Sequence, residues 1–423
     1  MEKKENFDDQ FIVETRKIKP INKRKWAQKL LVTASAALLF GVIASTIFVL
    51  FTPLLKSWTK TEAVKEIDLA PITDKAEVNN GDVTIPGVPG ANTSQELQIE
   101  DLQKIEYHLY SIGADANKNI VTIRGTGEST IKEEPSSFDA DETCGIIISI
   151  TEKEILILAQ QNTVKVGGQY RVYFQLGDAV PCEVKGYDSK TGLAVVSVLI
   201  SQTTNGIQKS IAAVQMGTSK AISRGKYVIA VGNPLGNMSS VQVGIINSTS
   251  FVSSYVDGVI TLLSTNLISQ SKGSGFFLDE DGRLIGIITH DGDEAKETNF
   301  IKALGISDMT TNLERLANGK NIPYFGIRVS TVTEKIAREN ELPEGVYVES
   351  VILDSPAMAT AIQKGDIIQE VGKNSVKTAK QLQQVLSNYE IGANLSISLK
   401  RFSPTGYKTV LCYVTLTSLM ELK

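Results

Sequence analysis

Hydrophobic residues follow three different patterns along this chain. From Leu30 to Leu55 they form a run without a single charged residue, and a helix of that length would extend about 39 Å, enough to cross a bilayer with some tilt. Residues 56–97 contain several prolines and glycines and no sustained apolar period, which is typical of a flexible linker. From residue 98 onward, short β-branched and aliphatic runs alternate with Gly, Asp and Asn turns. The pattern predicts a membrane anchor, a linker and a folded part rich in β-strands.

The charges around the apolar run predict its orientation. Basic residues are denser in segment 1–29 than just after the run, so this amino-terminal tail is expected in the cytoplasm and the rest outside. A cleaved signal peptide is the competing interpretation, but the run is about twice the usual apolar length and ends without a clear small-x-small site. We therefore predict an uncleaved transmembrane helix over 30–55 in the cell membrane.

The folded part is longer than one hydrophobic core usually organises, since the chain has 423 residues. A short amphipathic segment at Gln95 to Leu109 precedes a region that predicts a β-barrel or sandwich. Its predicted strands are NIVTI, GIIISI, EILILA, YRVYFQL, LAVVSVLI, YVIAVG, VQVGIIN and LIGIIT.

Composition excludes some functions. The net charge of -4 provides no basic field, so nucleic acid is not an expected partner. The cysteines Cys144, Cys182 and Cys412 lack the paired spacing of a zinc site. Buried free thiols are the favoured interpretation, and a disulfide between Cys144 and Cys182 is the alternative. No metal and no cofactor is expected.

Three segments in order carry a family resemblance: YDSKTGLAVVSV, RGKYVIAVGNPLGNMSSVQVGIINS and TNLISQSKGSGFFLDEDGRLIGIIT. Together they resemble the HtrA/Deg family of serine proteases, and the similarity covers most of the chain after the linker. The resemblance implies a mainly β fold with a trypsin-like double β-barrel over 98–318. It also implies that Ser274 stands at the position of the nucleophile, and that the protein could form a homo-oligomer, a trimer as in many relatives.

The other catalytic positions of the family hold unsuitable residues here. The resemblance places Asn162 at the catalytic His, or Gln161 if the register shifts by one, and Gly192 at the Asp that orients it. Neither an amide nor a glycine can act as a general base near neutral pH. The oxyanion hole would use the backbone N–H groups of Lys272 and Ser274, with Lys272 replacing a family glycine, and the following Phe276 and Phe277 add bulk. This combination predicts a catalytically degenerate member, a pseudoprotease.

A serine protease with a rewired site is the alternative. The chain contains only two histidines, His108 and His290. His108 lies before the barrel and is interpreted as a surface residue, whereas His290 follows LIGIIT and would have to reach Ser274 to act as its base. A Ser-Lys pair with Lys272 is another route, but it requires a desolvated lysine with a lowered pKa.

The last part of the chain resembles PDZ domains that follow HtrA-like protease domains. The motifs are PYFGI, GVYVESVILDSPA and IQKGDIIQEVGKNSV, and they imply an α+β PDZ domain over 319–423. In such domains a loop of backbone N–H groups captures a peptide carboxylate while the peptide adds to the sheet edge. The predicted peptide-binding residues lie in this loop and on the flanking helix, where packing of the domain core is the alternative role: Tyr324, Phe325, Gly326, Ile327, Leu382, Val385 and Leu386.

These features predict a membrane-anchored, extracytoplasmic HtrA-like pseudoprotease. Its expected partners are unfolded segments or carboxyl-terminal peptides of envelope proteins, in a scaffold, sensor or quality-control role. The alternative is an active serine endopeptidase with a non-standard site around Ser274.

Overall fold

The computed structural model describes residues 68, 98–125, 142–160, 168–175, 179–235, 239–268, 273–289 and 300–419. The predicted transmembrane helix at 30–55 and the predicted linker at 56–97, except for Asp68, lie outside these ranges. No helix within the described ranges is long and apolar enough to cross a membrane. All described residues fall in one compact unit, Ile67–Lys423.

A first β-barrel is built from short β-branched strands. Its described strands are Ile120–Gly125 (β1), Glu142–Ile150 (β2), Glu154–Gln160 (β3), Tyr170–Tyr173 (β4), Ala179–Asp188 (β5) and Leu193–Leu199 (β6). They close in the order β1-β2-β3-β6-β5-β4. Ile123, Ile157 and Val196 are completely buried in its core, as expected for side chains that fill a small barrel.

A second barrel follows. Its described strands are Tyr227–Asn233 (β7), Ser240–Tyr255 (β8), Gly258–Ile268 (β9), Ser274–Leu278 (β10), Leu284–Thr289 (β11) and Phe300–Gly305 (β12). They close in the order β10-β11-β12-β9-β8-β7. The two barrels confirm the predicted mainly β, trypsin-like architecture. All eight predicted strand segments lie on strands, whereas β5, β9, β10 and β12 were not predicted individually.

Three α-helices accompany the barrels in the described ranges: Ile99–Asp115 (α1), Asn205–Ser210 (α2) and Thr310–Ala317 (α3). Helix α1 begins later and runs further than the predicted amphipathic segment at Gln95 to Leu109. Gln98 caps its amino terminus together with Asp101, whose carboxylate accepts from the Gln98 N–H at 3.3 Å. His108 lies on its exposed side, in agreement with the predicted surface position.

The carboxyl-terminal part forms the predicted α+β PDZ domain. Its strands are Pro323–Tyr324 (β13), Ile327–Val332 (β14), Gly345–Val351 (β15), Ile367–Val371 (β16), Asn374–Ser375 (β17), Asn394–Ser403 (β18), Gly406–Thr415 (β19) and Thr417–Ser418 (β20), and its helices are Glu334–Asn340 (α4) and Ala379–Ser387 (α5). The main sheet has the order β14-β15-β16-β18-β19, with β17 paired to β16, and β13 pairs with β20.

Candidate functional site

Ser274 is held at the first position of β10. It is half-buried and lies opposite Asn233 of β7. The next residue, Gly275, has a φ of 136°, and a Cβ there would lie 2.2 Å from the carbonyl oxygen of Val231. Only glycine fits so close to that backbone. The glycine therefore allows β10 to pair tightly with β7, and this pairing fixes the position of the serine.

Asn233 is a polar neighbour of Ser274 that the sequence analysis missed. Residues directly opposite on antiparallel strands share one face of the sheet, so the two side chains emerge together. Asn233 is only 2% exposed, and its Oδ1 has no hydrogen-bond partner among the described residues. Its motif, GNPLG, gave no signal of this role beyond a turn. An amide cannot take the serine proton, so this neighbour supplies no base.

Gly192 lies in the turn between β5 and β6, and no carboxylate occupies its position. Its φ is 70°, and its N–H donates to the Asp188 carbonyl at 2.9 Å. The buried Asp188 in the same turn does not replace the missing acid. Its carboxylate accepts from the Lys190 N–H at 3.0 Å and from the Thr191 hydroxyl at 2.9 Å. Both carboxylate oxygens thus stabilise the turn itself.

A cavity of about 270 Å³ opens beside Gly192 between the two barrels. The side chain of Gln160 crosses from the first barrel to the second, where its Nε2 donates to the Ile288 carbonyl at 2.6 Å. The lining comes from both barrels and includes Gln160, Thr191, Gly192, Tyr255, Ile287 and Thr289. The cleft between the barrels therefore retains space where the family resemblance places catalytic groups.

Several predicted site residues lie outside the described ranges: Gln161, Asn162, Lys272 and His290. Their placement stays a prediction. Phe276 and Phe277, expected to add bulk beside Ser274, are 1% and 0% exposed and belong to two different core clusters. Their side chains therefore serve mainly to pack the cores on the two faces of β10.

The cysteines provide no alternative nucleophile. All three thiols are free and buried, so the predicted free-thiol state is confirmed and the alternative Cys144 to Cys182 disulfide is not formed. Cys144 packs against β7, the strand that pairs with β10, since a Cβ on Gly232 would lie 2.6 Å from the Cys144 Sγ. Burial raises the pKa of the Cys144 thiol to about 12. A thiol with so high a pKa is a poor source of thiolate at neutral pH.

The predicted carboxylate-binding loop of the PDZ domain has the required shape. Gly326 has a φ of 93°, and a Cβ there would lie 2.1 Å from the Cβ of Ser355. Glycine is therefore needed for the turn that directs consecutive N–H groups to one point, the arrangement that binds anions. The predicted loop residues Tyr324, Phe325 and Ile327 are almost completely buried around it.

This loop already holds a carboxylate, that of Asp257 in the turn between β8 and β9. The N–H of Phe325 donates to its Oδ2 at 2.9 Å, and those of Gly326 and Ile327 donate to its Oδ1 at 2.7 and 3.0 Å. The sequence analysis missed Asp257, because an Asp-Gly pair between two apolar runs is the usual signature of a hairpin turn.

Lys190 links this carboxylate to the turn that contains Gly192. Its Nζ lies 3.5 Å from the Asp257 Oδ2 and donates to the Pro323 carbonyl at 3.0 Å. The Lys190 and Asp257 side chains are only 10% and 4% exposed. Burial raises the pKa of Tyr324, and the charge of Asp257 raises it further. A buried ion pair thus joins turns of the two barrels, and both of its side chains also contact the PDZ domain.

The predicted groove residues on α5 lie mainly in the PDZ core. Leu382 and Leu386 are 0% and 4% exposed, and Val385 is half-buried against the same cluster. Lys380 of this helix pairs with Asp308 of the barrel domain at 2.7 Å, and a further polar contact there is made by Gln383. Its Oε1 accepts from the Val259 N–H at 3.0 Å, and its Nε2 donates to the Asp308 carbonyl at 2.9 Å.

A second contact joins the end of α5 to the barrel domain. Arg315 of α3 is 8% exposed. Its guanidinium donates to the carbonyls of Ser387 at 3.1 Å and Tyr389 at 2.6 Å and pairs with Glu390. The groove side of the PDZ domain is therefore held against the barrel domain by polar contacts along the helix and at its end.

Comparison with known proteins agrees with the division into a double β-barrel domain and a PDZ domain. Residues 145–287 match the trypsin-like peptidase domain, and residues 323–411 match the PDZ domain. These matches define the class: a trypsin-like protease domain followed by a peptide-binding type of domain. More narrowly, the chain carries an HtrA-family trypsin-like protease domain with a carboxyl-terminal PDZ domain.

Individual proteins to which the chain is similar are named as serine proteases. HhoB of Synechocystis sp. is 31% identical over 261 residues, which cover 58% of this chain and 60% of HhoB. The serine protease Do-like HtrA of Lactobacillus helveticus is 24% identical over 277 residues, 62% of this chain and 65% of that protein. The chain thus spans less than two thirds of the length of these curated relatives. The solved HtrA-type protease AlgW with a decapeptide shares the fold at 20% identity, with a TM-score of 0.51, over 73% of this chain and 98% of that one.

Proposed function

We propose that this protein is a membrane-anchored, extracytoplasmic HtrA-type pseudoprotease that binds unfolded segments or carboxyl-terminal peptides of other proteins. The observation that carries the proposal is Gly192, which leaves no carboxylate at the position that the family uses to orient a catalytic His. The sequence adds Asn162 at the position of that His. The anchor at 30–55 and the extracytoplasmic location rest on the sequence pattern alone.

The chemical argument is one of missing proton transfer. A serine hydroxyl attacks a peptide bond only when a base removes its proton, and loss of the orienting Asp alone lowers kcat by about 10⁴ in a serine protease triad. Among the described residues, Asn233 lies directly opposite Ser274, and its amide is not a base at neutral pH. The site therefore retains a nucleophile position without an activated nucleophile.

The binding argument rests on the PDZ loop. Its consecutive N–H groups are arranged to hold a carboxylate, as their contacts with Asp257 demonstrate. The solved protein AlgW is named with bound decapeptide and tripeptide. We propose that this loop binds the peptide carboxylate while the peptide pairs with β14 as an added strand of the sheet.

An active serine endopeptidase is the second candidate, since Ser274 is retained at the start of β10 and relatives are named as serine proteases. Such an enzyme would need its base from the segments outside the described ranges, where His290 and Lys272 are the candidates.

The test uses the purified full-length protein with unfolded casein and a fluorophosphonate probe, and Ser274→Ala as the matched variant. We expect neither cleavage nor labelling above the level of the variant. Cleavage and labelling that disappear with Ser274→Ala would overturn the pseudoprotease role and establish the second candidate.

A further inference from the structure

The turn between β8 and β9 reaches into the PDZ groove as a peptide ligand would. We propose that this hairpin tip, residues 254–259, is an internal ligand that occupies the carboxylate-binding loop, and that an external carboxyl terminus binds only by displacing it. The inference rests on the peptide-binding role proposed above and specifies how that role is regulated.

The carboxylate of Asp257 satisfies the loop completely. The N–H groups of Phe325, Gly326 and Ile327 all donate to it, at 2.7 to 3.0 Å. These are the same backbone donors that would bind the carboxylate of a peptide terminus. Charge-assisted bonds of this kind are strong and, in a buried site, leave no donor for a second anion. An incoming terminus must therefore compete with Asp257 for each of them.

The backbone of the hairpin tip also runs as an added strand would. Val256 forms an antiparallel bridge with Arg328, and the Asp257 N–H donates to the Ile327 carbonyl at 2.7 Å. The Arg328 guanidinium donates to the Ser254 carbonyl at 3.1 Å. The tip therefore approaches the loop along the edge of β14, with the carboxylate at its end. This is the direction that a peptide takes when its terminus enters such a loop.

An apolar side chain of the hairpin also contacts the PDZ core, as a side chain of a bound peptide would. Val259 packs against the PDZ core cluster that includes Leu382 and Leu386. Its N–H is held by Gln383 at 3.0 Å, and a Cβ on Gly258 would lie 2.5 Å from the Gln383 Oε1. The close approach requires glycine at this point. The position of Val259 also suggests that the groove accepts aliphatic side chains.

The backbone of Asp257 has a left-handed conformation. Its φ is 68°, a region that aspartate adopts more often than most residues with a side chain. Glycine would adopt this turn more readily. An aspartate at this position is explained by the contacts of its carboxylate with the loop and with Lys190. The contacts of the carboxylate, and not the turn conformation, thus distinguish Asp257 from a glycine at this position.

Competition has a measurable consequence. When only a fraction of molecules has an open groove, the apparent Kd rises by the inverse of that fraction. Removal of the Asp257 carboxylate should therefore tighten the binding of a free carboxyl terminus. Displacement should also release Lys190, which lies two positions before Gly192 in the turn that lines the cleft.

The experiment measures the affinity of the full-length protein for a fluorescein-labelled peptide with the sequence STSFVSSYV, copied from residues 248–256. The peptide ends in a free carboxylate, and its carboxyl-terminal amide is the probe control. Asp257→Gly removes the competing carboxylate and suits the left-handed turn. We expect it to bind the free peptide at least about 10-fold more tightly than the wild type, with an intermediate effect of Asp257→Asn, which keeps one acceptor oxygen. The amide should bind weakly to all three proteins.

Asp354→Gly is the matched control. Asp354 also has a left-handed backbone, with a φ of 57°, but its side chain is exposed, so this change should leave the affinity as in the wild type. Thermal unfolding verifies that each variant is folded, and Asp257→Asn replaces Asp257→Gly if the latter is not.

Hydrogen exchange of segment 324–328 separates this inference from the proposed function. The loop amides should exchange faster in Asp257→Gly than in the wild type, because they lose their acceptor. Equal peptide affinities and equal exchange in both proteins would overturn the internal ligand and leave peptide binding standing. Faster exchange without binding of the peptide by any variant would instead refute the binding function, with the internal contact retained.

Discussion

The cleft beside Ser274 and the carboxylate-binding loop of the PDZ domain are both places where backbone geometry prepares a site, but they differ in how their polar groups are satisfied. In the cleft, Gly275 fixes the serine, yet the Asn233 Oδ1 has no partner among the described residues and Gly192 supplies no acid. In the loop, Gly326 fixes the N–H groups and all of them bind Asp257.

Backbone geometry and side-chain chemistry are therefore separable in this protein. Glycines with positive φ hold both sites in shape. At the cleft, the described residue opposite Ser274 is an amide, and a glycine stands where the family resemblance places the orienting acid. At the loop, the backbone donors bind a buried carboxylate that is paired with Lys190. This contrast agrees with the proposed binding function.

The largest expected effect comes from Gly275→Ala. A Cβ at this position would lie 2.2 Å from the Val231 carbonyl oxygen, and φ is 136°. The rigid backbone contact cannot relax, so we expect the free energy of unfolding to fall by about 3–5 kcal/mol in urea denaturation. Gly225→Ala is the control: its φ is also positive, but no atom lies within 4 Å, and the loss should be only about 1–2 kcal/mol. Equal losses would mean that the strand contact is not rigid.

A smaller effect is expected at the buried ion pair between Lys190 and Asp257. Lys190→Met leaves the buried Asp257 carboxylate with its backbone donors but without a counter-charge, which should lower the free energy of unfolding by about 2–3 kcal/mol. Lys104→Met removes an ion pair in which both side chains are largely exposed, and it should cost at most about 1 kcal/mol. Urea denaturation compares the two variants. A loss for Lys190→Met no larger than for Lys104→Met would show that the buried pair contributes no more to stability than an exposed one.

A further effect depends on pH. Burial raises the pKa of Cys144 from its ordinary value near 9 to about 12, so the folded protein keeps a proton that the unfolded chain loses. Stability should therefore be unaffected below pH 9 and fall as the pH rises toward 12, by up to about 1.4 kcal/mol per pH unit. Cys144→Ala should show a weaker fall between pH 8 and 10.5 in urea denaturation. An unchanged slope would show that the folded thiol is not protected from ionisation.

Local patterns were sufficient to predict most of the fold. Runs such as GIIISI and LAVVSVLI are too short for helices and rich in β-branched residues, and both lie on buried strands. Strand β5 was not predicted, because AVPCEVKGYD contains a proline and few consecutive apolar residues. Its strand conformation depends on pairing with β4 and β6, which no local pattern reveals.

The candidate site was less predictable, because its decisive contacts join distant parts of the chain. The glycines at positions 192 and 326 were assigned from motifs. Asp257, however, meets its partners 68 to 70 residues further along the sequence. Nothing within the hairpin sequence SYVDGVI distinguishes a turn aspartate from one that fills a remote anion site.

The smallest expected effect is that of restoring the missing acid. Gly192→Asp places a carboxylate in a left-handed turn with a φ of 70°, which aspartate tolerates at a cost of about 1 kcal/mol. An orienting acid has no function without a His to orient, so casein cleavage and fluorophosphonate labelling should stay at the level of Ser274→Ala. Gly192→Asn tests the same backbone cost without the charge. Labelling that depends on Ser274 in Gly192→Asp, but not in Gly192→Asn, would contradict this expectation. It would mean that a base is already present and that the cleft lacks only the orienting carboxylate.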